Sequence, residues 1–355
     1  MQKRRYLVLA SGVFVDNAKT AHGVIRYGTD EIAAVLDPDR AGKRVRDVVP
    51  YLESDAPIVA SIAQGLAFHP TSLLIGTAPK GGALPSSWRS DILAAIDAKL
   101  EIVSGLHEML ADDPEFVRAA ARSGANLWDV RSVPAVPLFR GAVYDVKPPV
   151  VLAVGNDCAV GKMTVALELC RAAQMRGSRA AFVPTGQTGV MIAGWGMSVD
   201  RVISDFATGA CERLVLQAAA NDPDTIVVEG QGAINHPAYA PVTLSLLYGC
   251  APDALILVCR QPHERMEIFN TPVLGYRELI RLHEQLCASV KPAQVVGIAL
   301  NTHGLDDAAA REQVERARAE TGLPADDVVR FGPQALYDAV FPHLSKRRPL
   351  VEVNR

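Results

Sequence analysis

The chain has 355 residues, 49% hydrophobic and 21% charged, with a formal net charge of −3. That length accommodates two ordinary domains with large buried cores, and the balance excludes a disordered chain and any general attraction to nucleic acid or anionic lipid. No apolar run approaches the ~20 residues that span a bilayer, and in MQKRRYLVLASGVFVD the apolar segment meets Asp16 too soon for a secretory leader. A cytoplasmic protein is expected, without membrane or nucleic-acid partners.

In the first half, residues 6–10 read as a strand, 18–26 as a helix, and 31–36 as a second strand ending at Asp37. Another strand, 72–75, runs into GTAPKGG (76–82), a turn that is either an anion cradle with Lys80 or a plain surface loop. A helix at 87–98 and a strand at 100–103 follow. Strands separated by helices imply parallel βαβ units. No G-x-G-x-x-G follows the first strand, so Asp37, next to Pro38, reads better as a turn former than as a ribose ligand. The stretch VPAVPLFRGAVYDVKPP (133–149) is stiff and extended, because proline fixes φ and removes a donor. The domain boundary is placed there, giving 1–146 and 147–355.

The second half opens on a strand at 150–154, followed by GNDCAVGKMT and a helix at 162–176. Strand, glycine loop and helix in that order make a phosphate-binding loop. Its residues Gly155, Asn156, Asp157, Cys158, Ala159, Val160, Gly161, Lys162, Met163 and Thr164 are the expected phosphate contacts. Backbone N–H groups and Lys162 would face the anion. The spelling departs from G-x-x-x-x-G-K-[ST]: Met163 stands where a hydroxyl should hold magnesium, with Thr164 one helical step of ~100° further on. Such a loop favours binding a pyrophosphate over cleaving one. Further strands at 180–184, 225–228, 254–258 and 295–300 lead into TGQTG (185–189), EGQG (229–232), Arg260 and Asn301, and 199–220 has a helical pattern. In a parallel sheet all these strand ends share one rim. The fold expected is α/β with two domains: an N-terminal Rossmann-like parallel sheet and a C-terminal doubly wound parallel sheet like that of P-loop NTPases. The six cysteines, Cys158, Cys170, Cys211, Cys250, Cys259 and Cys287, form no C-x-x-C pair. Neither a disulfide framework nor a metal site is expected.

VGNDCAVGK, VVEGQG and GIALN resemble the loop, acidic strand end and base-recognising Asn of dethiobiotin synthetase, an ATP enzyme. That resemblance implies that Asn301 reads an adenine and that Glu229 lies near the phosphates. A wider resemblance covers nearly the whole chain. GNDCAVGKMT, TGQTG, SDF-x-x-GA-x-E, EGQGAINHP and SGLHEMLADDPE look like the family of the DgcN-type D-glutamate N-acetyltransferase, long catalogued as a domain of unknown function. It implies acetyl-CoA as co-substrate, its phosphates gripped by the loop, and a D-amino acid such as D-glutamate as acceptor. The alternative is a Mg-ATP- or GTP-dependent ligase or kinase. A homo-oligomer with a small-molecule amino-acid substrate is expected.

Acetyl transfer to an amine needs a general base, and Glu229, Asp205 and His236 are the candidates. Glu229 reads equally well as a magnesium or water ligand, Asp205 as a solvated helix residue, and His236 as a turn residue. Gln187, Thr188 and Gln231 are candidate donors for substrate and oxyanion. Arg260, with Arg265 behind it, is the candidate carboxylate partner, unless both are ordinary surface arginines. Cys158 at a helix N-terminus suggests a covalent acyl-enzyme, although small residues are common in such loops. His107 either reaches a cleft or packs.

Overall fold

The computed structural model describes residues 3–77, 83–266 and 269–344. Most of the glycine turn expected at 76–82, including Lys80, lies outside the described residues. The chain forms two compact units, Met1–Pro134 with Gln187–Arg201, and Ala135–Gly186 with Val202–Arg355. The junction thus falls twelve residues before the expected 146/147 division, and the chain makes one excursion back.

The first unit holds β1 (Arg5–Leu9), β2 (Glu31–Leu36), β3 (Ile58–Val59), β4 (Ser72–Ile75), β5 (Glu101–Ser104) and β6 (Leu127–Asp129). They pair in parallel in the order β3-β2-β1-β4-β5-β6, which is the dinucleotide-fold order. Leu7, Leu9, Leu73, Ile75 and Ile102 are sealed in its core with Trp88, Ile92 and Phe116 from the helical layer. Asp37 does more than turn the chain. Fully buried, it accepts the Gly12 N–H at 3.0 Å and pairs with Arg40 at 3.0 Å, bracing the loop after β1.

The returning segment docks in this unit through its own chemistry. In the helix Gln187–Ala193, Val190, Met191 and Ile192 are buried, and the Thr188 hydroxyl lies 3.2 Å from that of Thr20. Arg131, buried, donates to the Gly105 carbonyl at 2.8 Å and pairs with Asp200.

The second unit holds β7 (Val150–Gly155), β8 (Ala180–Val183), β9 (Thr225–Val228), β10 (Ala254–Arg260), β11 (Gln294–Asn301) and β12 (Ala325–Asp326). All pairings are parallel, in the order β12-β11-β10-β7-β9-β8. β7 is buried at every position, as a strand covered on both faces must be. Each of its Val and Leu side chains contributes roughly 1.5–3 kcal/mol by leaving water. The proline-rich stretch is not a free linker but packs on the helix Ser204–Ala219. The buried Glu212 carboxylate accepts the N–H groups of Arg140 at 2.8 Å and Val143 at 3.3 Å, supplying acceptors that an extended, proline-interrupted backbone cannot find in itself. A Cβ on Gly209 would stand 2.0 Å from the Pro137 carbonyl, so the connector lies directly on that glycine. The SDF-x-x-GA-x-E motif therefore serves this contact. No helix among the described residues is long and apolar enough to cross a membrane.

Candidate phosphate-loop site

The order of strands reverses between β7 and β10, where consecutive crossovers leave in opposite directions and open a crevice at the strand ends. The loop 156–161 follows β7 at that point and feeds the helix Lys162–Met175. Ala159 at φ 54° and Gly161 at φ 108° turn the chain into the helix, the second in a region where a side chain would be strained. No side-chain cap closes this helix at Gly161, and the start of a helix, with its N–H groups and positive dipole end, is the place where anions bind.

Lys162 is 6% exposed, and its Nζ donates to the Asp157 carbonyl at 2.7 Å. Its stem runs past two glycines, since a Cβ on Gly155 would meet Nζ at 3.1 Å and one on Gly230 would meet Cδ at 3.0 Å. At Gly230 that Cβ would also fall 1.6 Å from the Ala153 carbonyl, which is why EGQG carries glycine there. Met163 is buried, and Thr164 is half-buried one step later. A thioether is a poor ligand for magnesium, a hard cation.

The rim expected from the sequence is assembled here, but its members are largely committed to one another. Asn156 clasps the end of β10, its Oδ1 accepting the Arg260 N–H at 3.3 Å and its Nδ2 donating to the Arg260 carbonyl at 3.5 Å. Asn301 braces the loop rather than standing open to an adenine: Nδ2 donates to the Val160 carbonyl at 3.1 Å and Oδ1 accepts the His303 N–H at 3.1 Å. Glu229, buried after β9, accepts the N–H groups of Thr185 at 3.0 Å and Gly186 at 3.1 Å on the same oxygen. The Thr185 hydroxyl donates back to the Glu229 carbonyl at 2.7 Å and accepts from Gln231 at 3.3 Å. Glu229 and Gln231 thus shape the 185–186 turn.

Four expected residues stand elsewhere. Asp205 is exposed in the first turn of the helix Ser204–Ala219, where a carboxylate suits the positive end of the dipole. Gln187 and Thr188 belong to the first unit, with the Thr188 hydroxyl spent on Thr20. Arg265 is exposed and donates to the Asn270 carbonyl at 2.6 Å.

The distinctive group is a carboxylate between two imidazoles. Asp157, 3% exposed, has Oδ1 3.9 Å from His236 Nε2 and Oδ2 2.8 Å from His263 Nε2. Oδ1 also accepts the Cys158 N–H at 2.6 Å. The His236 ring is held by stacking on Tyr239, 4.6 Å between centroids, and by the edge of Phe269 at 5.3 Å. Ligand atoms of Asp157, Cys158 and His236 all lie within 4.8 Å of one another, a spacing that admits a metal ion. The tautomer of His236 opposes that use. Its Nδ1 accepts the Ala238 and Tyr239 N–H groups at 3.2 and 3.3 Å, so the hydrogen of a neutral ring sits on Nε2, the atom that would ligate. Metal-bound histidines show the reverse arrangement, donating from the second nitrogen. The same fact disqualifies His236 as the base expected from the sequence, because its lone pair is already engaged. His263 is not among the residues the sequence singles out: QPHERM carries no motif, although it directly follows the buried strand that Arg260 ends.

Comparison with known proteins shows the family. A family described as a domain of unknown function, the DUF1611 C-terminal P-loop domain, matches residues 137–337, and its N-terminal Rossmann-like partner matches 38–133. The chain belongs to the DUF1611 family. A crystal structure of a DUF1611 family protein from Anabaena variabilis superposes with a TM-score of 0.91 at 39% identity, covering 96% of this chain and all of that one. The D-glutamate N-acetyltransferase of Tritonibacter scottomollicae is 38% identical over 276 residues, 76% of this chain and 80% of its own length. That of a Pseudoalteromonas species is 34% identical over 278 residues, 78% and 83% of the two chains. Both DUF1611 domains are α/β with parallel sheets, as the order of motifs implies.

Proposed function

We propose that this DUF1611 protein transfers an acetyl group from acetyl-CoA to the amine of a D-amino acid, with D-glutamate as the first acceptor to test. The observation that carries the reading is the loop itself, with a buried Lys162 and an uncapped helix N-terminus but a buried Met163 in the position of the metal-binding hydroxyl. These parts suit a pyrophosphate that is held and not cleaved, as in the nucleotide portion of coenzyme A. The two relatives named D-glutamate N-acetyltransferase, similar over about four-fifths of their length, supply the reaction class and the acceptor.

The test is incubation with acetyl-CoA and a panel of D- and L-amino acids, following release of free thiol and formation of the N-acetyl product. Thiol release that depends on a D-amino acid supports the reading. Magnesium-dependent consumption of ATP or GTP, with no thiol released by any amine, replaces it with a ligase or kinase.

A further inference from the structure

The loops leaving β7 and β10 meet at the crevice where the second sheet reverses its strand order. Asp157 stands two residues beyond the end of β7, and His263 three residues beyond the end of β10. The Asn156 side chain ties the two loop roots together through both main-chain polar atoms of Arg260. Their separation is therefore fixed by backbone, not by a chance meeting of long side chains.

His263 Nε2 lies 2.8 Å from Asp157 Oδ2. An ionised carboxylate can only accept, so Nε2 carries the hydrogen and a neutral ring keeps its lone pair on Nδ1. Nδ1 has no hydrogen-bond partner among the described residues and is not one of the sealed, partnerless atoms, so it opens on solvent. The side chain as a whole is 10% exposed. His236, on the far side of Asp157, is wired the other way, with its lone pair spent on two backbone N–H groups. Of the two imidazoles beside Asp157, one has its basic nitrogen tied down and the other has it free.

We propose that His263 is the general base of the transfer, with Asp157 as the positioning residue that fixes its tautomer and supports its charge. This rests on the acetyl-transfer reading above. The acceptor arrives as an ammonium ion and loses a first proton to water. As its nitrogen bonds to the thioester carbonyl carbon, the second proton passes to His263 Nδ1, giving an imidazolium whose Nε2–H stays on Asp157. The C–S bond then breaks and the same proton goes to the departing thiolate. The products are the amide, free coenzyme A and the neutral ring. The Lys162 ammonium donates to the Asp157 main-chain carbonyl at 2.7 Å, while the two imidazoles face the carboxylate.

The experiment compares full-length wild type with His263→Gln, His263→Gly and Asp157→Asn, using acetyl-CoA and the best acceptor of the panel. For H263Q, kcat should fall by about 10²–10⁴-fold, with KM for acetyl-CoA within about threefold and coenzyme A binding retained by calorimetry. Its rate should climb continuously with pH, where the wild type levels off. Added imidazole should restore part of the rate to H263G, and D157N should lose kcat through the wrong tautomer. An active wild type with H263Q within threefold of it and an unchanged pH profile overturns the base alone. Loss of coenzyme A binding in H263Q, with no recovery of H263G by imidazole, also overturns it, making His263 a binding residue. A wild type that acetylates no amine overturns both the base and the reaction it serves.

Discussion

Asn301 Nδ2 donates to the main-chain oxygen of Val160 at 3.1 Å, so the end of β11 is bolted to the phosphate loop. With Oδ1 engaged by the His303 N–H as well, one donor and one acceptor of the amide already serve the architecture of the loop. Asn301→Ala should therefore weaken ADP and inorganic pyrophosphate equally, by about fivefold for one net hydrogen bond. Calorimetry with the two ligands decides the matter, since a penalty confined to ADP would mark base recognition.

Lys162 is buried with its charge beside an uncapped helix N-terminus. Replacement by Met keeps the stem packed and removes only the charged donor. Coenzyme A binding should fall about 10–100-fold, the range for a hydrogen bond to a charged group. Unchanged affinity in a calorimetric titration would mean that the anion binds elsewhere.

Gly230 and Gly186 both stand just beyond strand ends but differ in what surrounds them. A Cβ on Gly230 meets the Ala153 carbonyl at 1.6 Å, in the middle of β7, whereas one on Gly186 meets the Gln231 side-chain amide at 2.5 Å. Backbone inside a sheet cannot yield, but a glutamine can rotate away. Gly230→Ala should cost about 3 kcal/mol or more, and Gly186→Ala about 1 kcal/mol or less. Urea melts of the two variants should show the larger drop in midpoint for Gly230→Ala.

His283, fully buried in the helix Tyr276–Ala288, donates from Nδ1 to the Leu279 carbonyl at 2.7 Å. Burial lowers its pKa to about 4, only partly opposed by that hydrogen bond. The unfolded chain takes up a proton near the ordinary value of ~6.5 while the folded chain does not, so its contribution to stability is complete above ~6.5 and is lost as pH falls toward 4. About 3 kcal/mol is at stake. His283→Leu should flatten the slope of unfolding free energy against pH between 4 and 6.5, measured by denaturant melts, and an unaltered slope would assign it to other groups.

The legible part of the fold was the part written locally. Buried strands such as VVLAVG, with glycine at their ends, announce both sheets and the loop, and the rim residues follow because parallel strands end together. The site was legible only as a neighbourhood. Asn301, Gln231 and Glu229 were found, but their bonds to Val160, Thr185 and Gly186 are long-range and leave no local signal. Asp157 and His263 are 106 residues apart, and nothing in QPHERM marks the histidine. His236 was visible through its motif, but its tautomer follows from the turn at Ala238 and Tyr239, which composition does not encode. The proline run misled for a physical reason: stiffness was read as separation, whereas Glu212 and Gly209 make it part of the second unit.

The return of Gln187–Arg201 to the first unit has a consequence for synthesis. The first sheet is complete at Asp129, yet the unit lacks the helix that carries Val190, Met191 and Ile192 until the ribosome has passed residue 201. At the usual 5–20 residues per second that interval lasts roughly 4–14 s. A stalled nascent chain ending near residue 180 should be cut readily by protease within residues 1–134, and one ending beyond 240 should resist. The protein's early half thus waits, unfinished, for a piece of its core that the ribosome delivers from the middle of the later one.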